Sequence, residues 1–80
     1  MKTEEFIVNL NSIEKAKSFC NLSSKTDCVV ELKSERWVVN GASILGIFSL
    51  DLSKDIKVSV SGSEKSVTNF VELLKDNKFL

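Results

Sequence analysis

The chain has no histidine and no proline, and only two cysteines and three glycines in its 80 residues. Without histidine, no Ser-His-Asp triad, Cys-His pair, His-ligated zinc or phosphohistidine can be assembled. Without proline, helix boundaries must come from caps and glycine rather than from ring sterics. Cys20 and Cys28 are spaced neither as a metal knuckle nor as a redox CxxC. They read as reduced thiols that pack as small hydrophobes. Net charge is absent too: eleven basic residues cancel eleven acidic ones. No strong field therefore points to nucleic acid or anionic lipid. The charged start Met1-Lys2-Thr3-Glu4-Glu5 leads into an apolar run too short for a signal peptide or a bilayer span. A cytoplasmic protein is expected, with no membrane and no direct nucleic-acid contact. There is no glycine-rich phosphate loop, no metal-ligand cluster and no paired carboxylates with a cleft signature. Hence no catalytic activity, cofactor or metal is expected.

What is present is enough for one domain over 1–80: 42% of residues are hydrophobic and the mean hydropathy is +0.03. Glu5–Leu10 has strand composition, with Phe6, Val8 and Leu10 on one face. Asn11 and Ser12 are N-cap candidates, and Glu14 suits the first turn of a helix carrying Ile13, Ala16, Lys17, Phe19, Cys20 and Leu22 at three and four spacings. That helix ends near Ser23-Ser24. Asp27–Lys33 and Arg36–Asn40 read as a hairpin, but the link lacks Asn-Gly or Asp-Gly, which leaves the turn type open. Ser43–Leu50 is short and apolar, with Ser43 as N-cap candidate and Ile44, Ile47 and Phe48 at helical spacing. Its β-branched content also permits a strand. Ile56–Val60 alternates strictly. Ser61-Gly62-Ser63 then opens a last helix with Val67, Phe70, Val71 and Leu74 on one face and Lys75 and Lys78 near its end. The order β-α-β-β-α-β-α predicts an α+β fold: an open-faced β-sandwich, with a four-stranded, mostly antiparallel sheet carrying three helices on one face.

The segment Ser43-Ile44-Leu45-Gly46-Ile47-Phe48-Ser49-Leu50 resembles the Ser-Ile-Met-Gly-Val-Met-Ser-Leu stretch around the regulatory serine of HPr proteins. These are the phosphocarriers of the bacterial phosphoenolpyruvate-dependent sugar phosphotransferase system, and the segment is that of their Gram-positive members. The resemblance runs without gaps from the first helix to Leu52 and agrees in element order over nearly the whole chain. The family carries its phosphoryl group on a histidine that caps the first helix, followed by an arginine two residues on and then a proline. Aligned from Phe19 and Ser43, Ser12 stands at the histidine, Glu14 at the arginine and Lys15 at the proline. The nucleophile is missing, and an anion replaces the cation that would hold phosphate. Ordinary phosphohistidine chemistry is excluded, and a serine hydroxyl without an activating base is a poor acceptor.

Ser43 keeps its counterpart. In the resembling Gram-positive proteins this serine is phosphorylated from ATP by HPr kinase, and the product binds a transcriptional regulator of carbon metabolism. The histidine-less catabolite-repression HPr is a precedent for acting through the serine alone. Two readings of Ser43 stand: a regulatory phosphorylation site at a helix start, or a plain N-cap. Ala42 stands where the family often has lysine or arginine, which argues against kinase recognition. Ile44, Leu45, Ile47 and Phe48 keep the apolar character of the family's partner-docking surface, with core packing as the alternative. Trp37 faces either the helices or the open sheet face. If exposed, it is an anchor for a partner or a second copy, joined by Val39, Val30 and Leu32; otherwise it enlarges a small core.

The expected function is that of a non-catalytic regulatory or docking protein related to the phosphotransferase system. HPr kinase and the transcriptional regulator are its expected partners, and the chain itself a monomer or weak homodimer. The alternatives are a phosphocarrier using Ser12 or Cys20, and a structural dimerisation module around Trp37.

Overall fold

The computed structural model describes residues 1–80. Seven elements follow in the order expected: β1 (Lys2–Val8), α1 (Ile13–Ser24), β2 (Val29–Ser34), β3 (Trp37–Asn40), α2 (Ile44–Phe48), β4 (Ile56–Gly62) and α3 (Glu64–Asp76). The strands form one sheet in the order β1-β4-β2-β3. Every pairing is antiparallel, so the sheet is wholly rather than mostly so.

The register sorts the side chains. Ile56, Val58 and Val60 of β4 lie between Val8, Phe6 and Glu4 of β1 on one side and Leu32 and Val30 of β2 on the other. This row faces the helices. The intervening residues Glu5, Ile7, Lys57, Glu31 and Lys33 face water on the open side of the sheet, where Lys57 reaches Glu5 at 3.5 Å. Above the sheet, α1 and α3 bury Ala16, Phe19, Val67, Phe70 and Leu74. Phe19 is the hub, since Phe70 and Phe79 meet its ring edge-on at centroid distances of 6.5 and 5.4 Å. Edge-to-face pairs of this kind stabilise by about 0.5–1.5 kcal/mol each beyond the area they bury.

Each helix starts on a serine. Ser12, Ser43 and Ser63 accept from the backbone N–H three residues on, all at 3.1 Å. At its other end α3 closes with Lys78 at φ 65 and two reverse bonds, from Phe79 N–H to the Leu74 carbonyl and from Lys78 N–H to that of Lys75. The short hairpin link turns on Glu35, whose φ of 56 supplies the positive backbone angle that a two-residue hairpin loop needs at its first central position.

Three boundaries and two faces differ from the sequence reading. β1 starts at Lys2 and ends at Val8, because its polar N-terminal half lies at the sheet edge, where the backbone ladder to Ser61 and Gly62 needs no apolar side chain. Leu10 is buried, but in the connection after the strand. β4 runs on through Gly62, so the cap of α3 is Ser63 alone. On α1 the buried stripe is Ala16, Phe19 and Ser23, and Ile13 points into water with 64% of its surface exposed. Of the two faces left open for Trp37, the register selects the helix side of β3, which it shares with Val39. Val30 and Leu32 are core residues and join no surface patch.

Candidate functional site

Most of the residues singled out in the sequence lie at the serine-capped starts of α1 and α2, with Trp37 on β3. Ser12 lies at the head of α1, exposed, with its Oγ occupied as acceptor for Lys15 N–H and its carbonyl accepting from Ala16 N–H at 3.1 Å. Glu14 stands in the same turn. No carboxylate or amine hydrogen-bonds to the Ser12 hydroxyl, so nothing is placed to remove its proton. The cap looks onto an open cleft of about 370 Å³ lined by Asn9, Asn11, Ser12, Ile13, Leu52 and Ser53. Its far wall comes from the segment before β4, which folds back against the α1 head: Asn9 Nδ2 donates to Asp55 Oδ1 at 3.5 Å. Ser53 donates both its hydroxyl (2.6 Å) and its backbone N–H (3.1 Å) to Asp51 Oδ1. These bonds, chiefly the hydroxyl, hold the Asp51 carboxyl below its ordinary value, with nearby Lys54 adding to the effect. Lys54 itself is raised by its 2.8 Å contact with Glu35.

Ser43 is built by the β3–α2 connection. Val30 accepts from Gly41 N–H at 2.8 Å, so the ladder runs one residue past the end of β3. Asn40 Oδ1 then accepts from Ala42 N–H at 2.7 Å and the Asn40 carbonyl from Ser43 N–H at 3.0 Å, which turns the chain sharply into α2. Gly41 has to be small: a Cβ there would lie 2.6 Å from Val30 Cγ1. Gly46 lets α2 sit directly on β3, since a Cβ there would approach Val39 Cβ at 3.2 Å. From the other side Cys20 of α1 donates its thiol to the Ala42 carbonyl at 3.4 Å. Ser43 is exposed and caps Gly46 N–H; no acidic residue lies in the first turn of α2.

The apolar residues of α2 divide. Ile47 is fully buried and belongs to the core, which removes it from the expected docking set; Ile44 is half-buried. Leu45 is 80% and Phe48 40% exposed, so these two form the outward face of α2. Trp37 is 64% exposed. The two cysteines are not bonded to each other; Cys28 is buried and Cys20 half-buried. No group of three or more cysteine, aspartate and glutamate side chains is arranged to hold a metal ion. No helix is long and apolar enough to cross a membrane.

Sequence reasoning found both caps but missed the cleft. Ile13 reads by spacing as a core position, and nothing in the string places Leu52 and Ser53 opposite Ser12. The thiol link from Cys20 to Ala42 was equally invisible, because it joins residues of two elements through a backbone carbonyl.

This architecture is that of the HPr phosphocarriers. The chain superimposes on HPr-C-His from Thermoanaerobacter tengcongensis with a TM-score of 0.70 and 26% identity, over 94% of this chain and 92% of that one. It also superimposes on the phosphocarrier protein HPr from Bacillus anthracis with a TM-score of 0.67 and 17% identity, over 90% and 96% of the two chains. No family model and no curated protein matches the sequence. Fold and element order are thus HPr-like over nearly the full length, and a divergent HPr-like member lacking histidine is consistent with both structures.

Proposed function

We propose that this chain is a non-catalytic, HPr-like docking protein of the phosphotransferase system, switched by phosphorylation of Ser43. The observation that carries the reading is the contrast between the two serine caps. Ser12 has no base hydrogen-bonded to its hydroxyl and shares its turn with Glu14. Ser43 stands exposed at the head of a helix that has no acid in its first turn, with Leu45 projecting into water two residues later. A phosphate on Ser43 adds charge of about −2 and three acceptor oxygens next to the free N–H groups of that turn. It thereby changes the surface on which Leu45 and Phe48 dock. HPr kinase is the modifying partner, and a transcriptional regulator of carbon metabolism is the reader. Both act in the cytoplasm.

The test is intact-mass measurement after incubation with ATP and HPr kinase, followed by peptide mapping. One added phosphate on Ser43, absent in Ser43→Ala, is the expected result. An unmodified chain overturns the switch and leaves Ser43 as a helix cap. Label taken up from phosphoenolpyruvate through the system's first enzyme, on Ser12 or Cys20, overturns the docking reading in favour of a carrier.

A further inference from the structure

The two edges of the sheet are built differently. β1, at one edge, carries Lys2, Glu4 and Glu5 among its seven residues, and charged edges of this kind discourage pairing with another strand. β3, at the other edge, reads Trp-Val-Val-Asn and carries no charge. It has no proline and no glycine, and Trp37 and Val38 expose 64% and 52% of their surfaces on opposite sides of the strand.

The hydrogen-bonding phase of this edge follows from the hairpin. Ser34 and Trp37 flank the two-residue link and form a hydrogen-bonded pair, as do Leu32 and Val39. Val38, opposite Lys33, and Asn40, opposite Glu31, therefore turn their backbone groups outward. The Asn40 carbonyl is used by Ser43 N–H, but no turn or side chain of the protein engages Val38 N–H, Val38 C=O or Asn40 N–H. A donor and an acceptor on Val38 thus stand free at an uncharged, apolar edge.

We propose that this edge pairs with its own copy: β3 adds antiparallel to β3 of a second chain, about a two-fold axis at Val38, to give a continuous eight-stranded sheet. Self-pairing suits the edge for three reasons. With the axis at Val38, its N–H and C=O meet their symmetry mates, and the donor and acceptor of both copies are satisfied. Trp37 then falls opposite the second copy's Val39, on the helix side of both sheets, where its exposed ring gains an apolar neighbour. Charge also permits it. Arg36 falls opposite Asn40 of the second copy, so no like charges face each other across the axis, and the net charge of zero adds no long-range repulsion. Pairing confined to one four-residue edge strand makes a weak dimer, populated only at high concentration.

Sedimentation equilibrium up to about 1 mM chain measures it. The expected result is a monomer–dimer equilibrium, weakened about tenfold or more by Val38→Pro, which deletes the outward donor and leaves the bonds to β2 intact. Trp37→Lys is expected to weaken it similarly, and Ile7→Lys, on the open face of the other edge strand β1, to leave it unchanged. In the native chain, the Val38 and Asn40 amides should shift and gain exchange protection with concentration, a readout that does not depend on the proline variant folding. A chain that stays monomeric at about 1 mM overturns the proposal. So does a dimer that Trp37→Lys leaves intact or Ile7→Lys breaks, since it would use another surface.

Discussion

Replacing Gly41 by alanine tests whether the junction that positions Ser43 is set by steric fit. Gly41 is buried, and its φ is not positive, so backbone strain does not enter. Alanine in place of glycine would by itself stabilise through the unfolded chain by about 0.4–1 kcal/mol. Opposing this, the new Cβ would sit 2.6 Å from Val30 Cγ1, 3.1 Å from Val30 Cβ and 3.2 Å from Ser23 Oγ. Valine has few χ1 positions to escape to, and Val30 is itself buried in the core. Overpacking of this kind costs about 1–3 kcal/mol. The net expectation is a loss of about 1–2 kcal/mol, which lowers the melting temperature of a domain this size by roughly 5–15 °C. Val30→Ala alone removes two buried methyl groups and costs about 2–3 kcal/mol. In the double variant the methyl group added at position 41 occupies space that Cγ1 has left. Its loss should then fall short of the sum by about 1 kcal/mol or more. Equilibrium urea unfolding of the four proteins measures the cycle. Gly41→Ala within about 0.5 kcal/mol of the parent, or strict additivity with Val30→Ala, would refute the contact as the reason for glycine.

Three further outcomes follow from the caps and the loops. Ser43→Ala should remove about 1 kcal/mol of cap stabilisation and show as faster hydrogen exchange at Gly46 N–H, with the amides of α1 and α3 unaffected. Lys78→Gly should raise stability by about 1 kcal/mol in thermal unfolding, because φ 65 at the close of α3 is strained for lysine and free for glycine. The depressed Asp51 carboxyl stabilises the folded chain above its ordinary value of 3.8, and that contribution is lost as pH falls through the lower folded value. In acid titrations of the melting temperature, Asp51→Asn should therefore show a shallower decline than the parent below that point.

Much of the fold could be read from local signals, because in this chain local and global preferences agree. The strict alternation of Ile56–Val60 appears as the strand β4, and Ser12, Ser43 and Ser63 cap as the sequence offers, while Ser61 falls within β4. What escaped reading depends on neighbours distant in sequence. The charged stretch Lys2–Glu5 becomes a strand only because β4 supplies a ladder for it. Ile13 has the spacing of a core residue, but it is the first residue after the cap and lies exposed at the helix end. The side taken by Trp37 depends on the phase of the hairpin. That phase was unreadable without a turn signature, since Glu35 rather than glycine adopts the positive φ. For the site, both serines were legible as caps. The cleft beside Ser12 was not, because Leu52 and Ser53 reach it through the fold-back of an irregular segment.

The two caps also separate what the fold requires from what phosphoryl transfer would require. The head of α1 needs a side-chain acceptor for one orphan N–H, and a serine meets that need at 3.1 Å without any nucleophilic role. The start of the helix therefore needs no histidine. Glu14 at the same turn favours the helix through its dipole while it repels an incoming phosphate. Helix stability and phosphoryl transfer thus make opposite demands on that position, and here the helix prevails. At α2 no such conflict exists. Ile47 anchors the helix in the core, Gly46 seats it on Val39, and Leu45 and Phe48 are left free of structural duty. A surface that the monomer does not need for its own stability can serve a partner, and it lies beside the one serine cap that no acidic neighbour opposes.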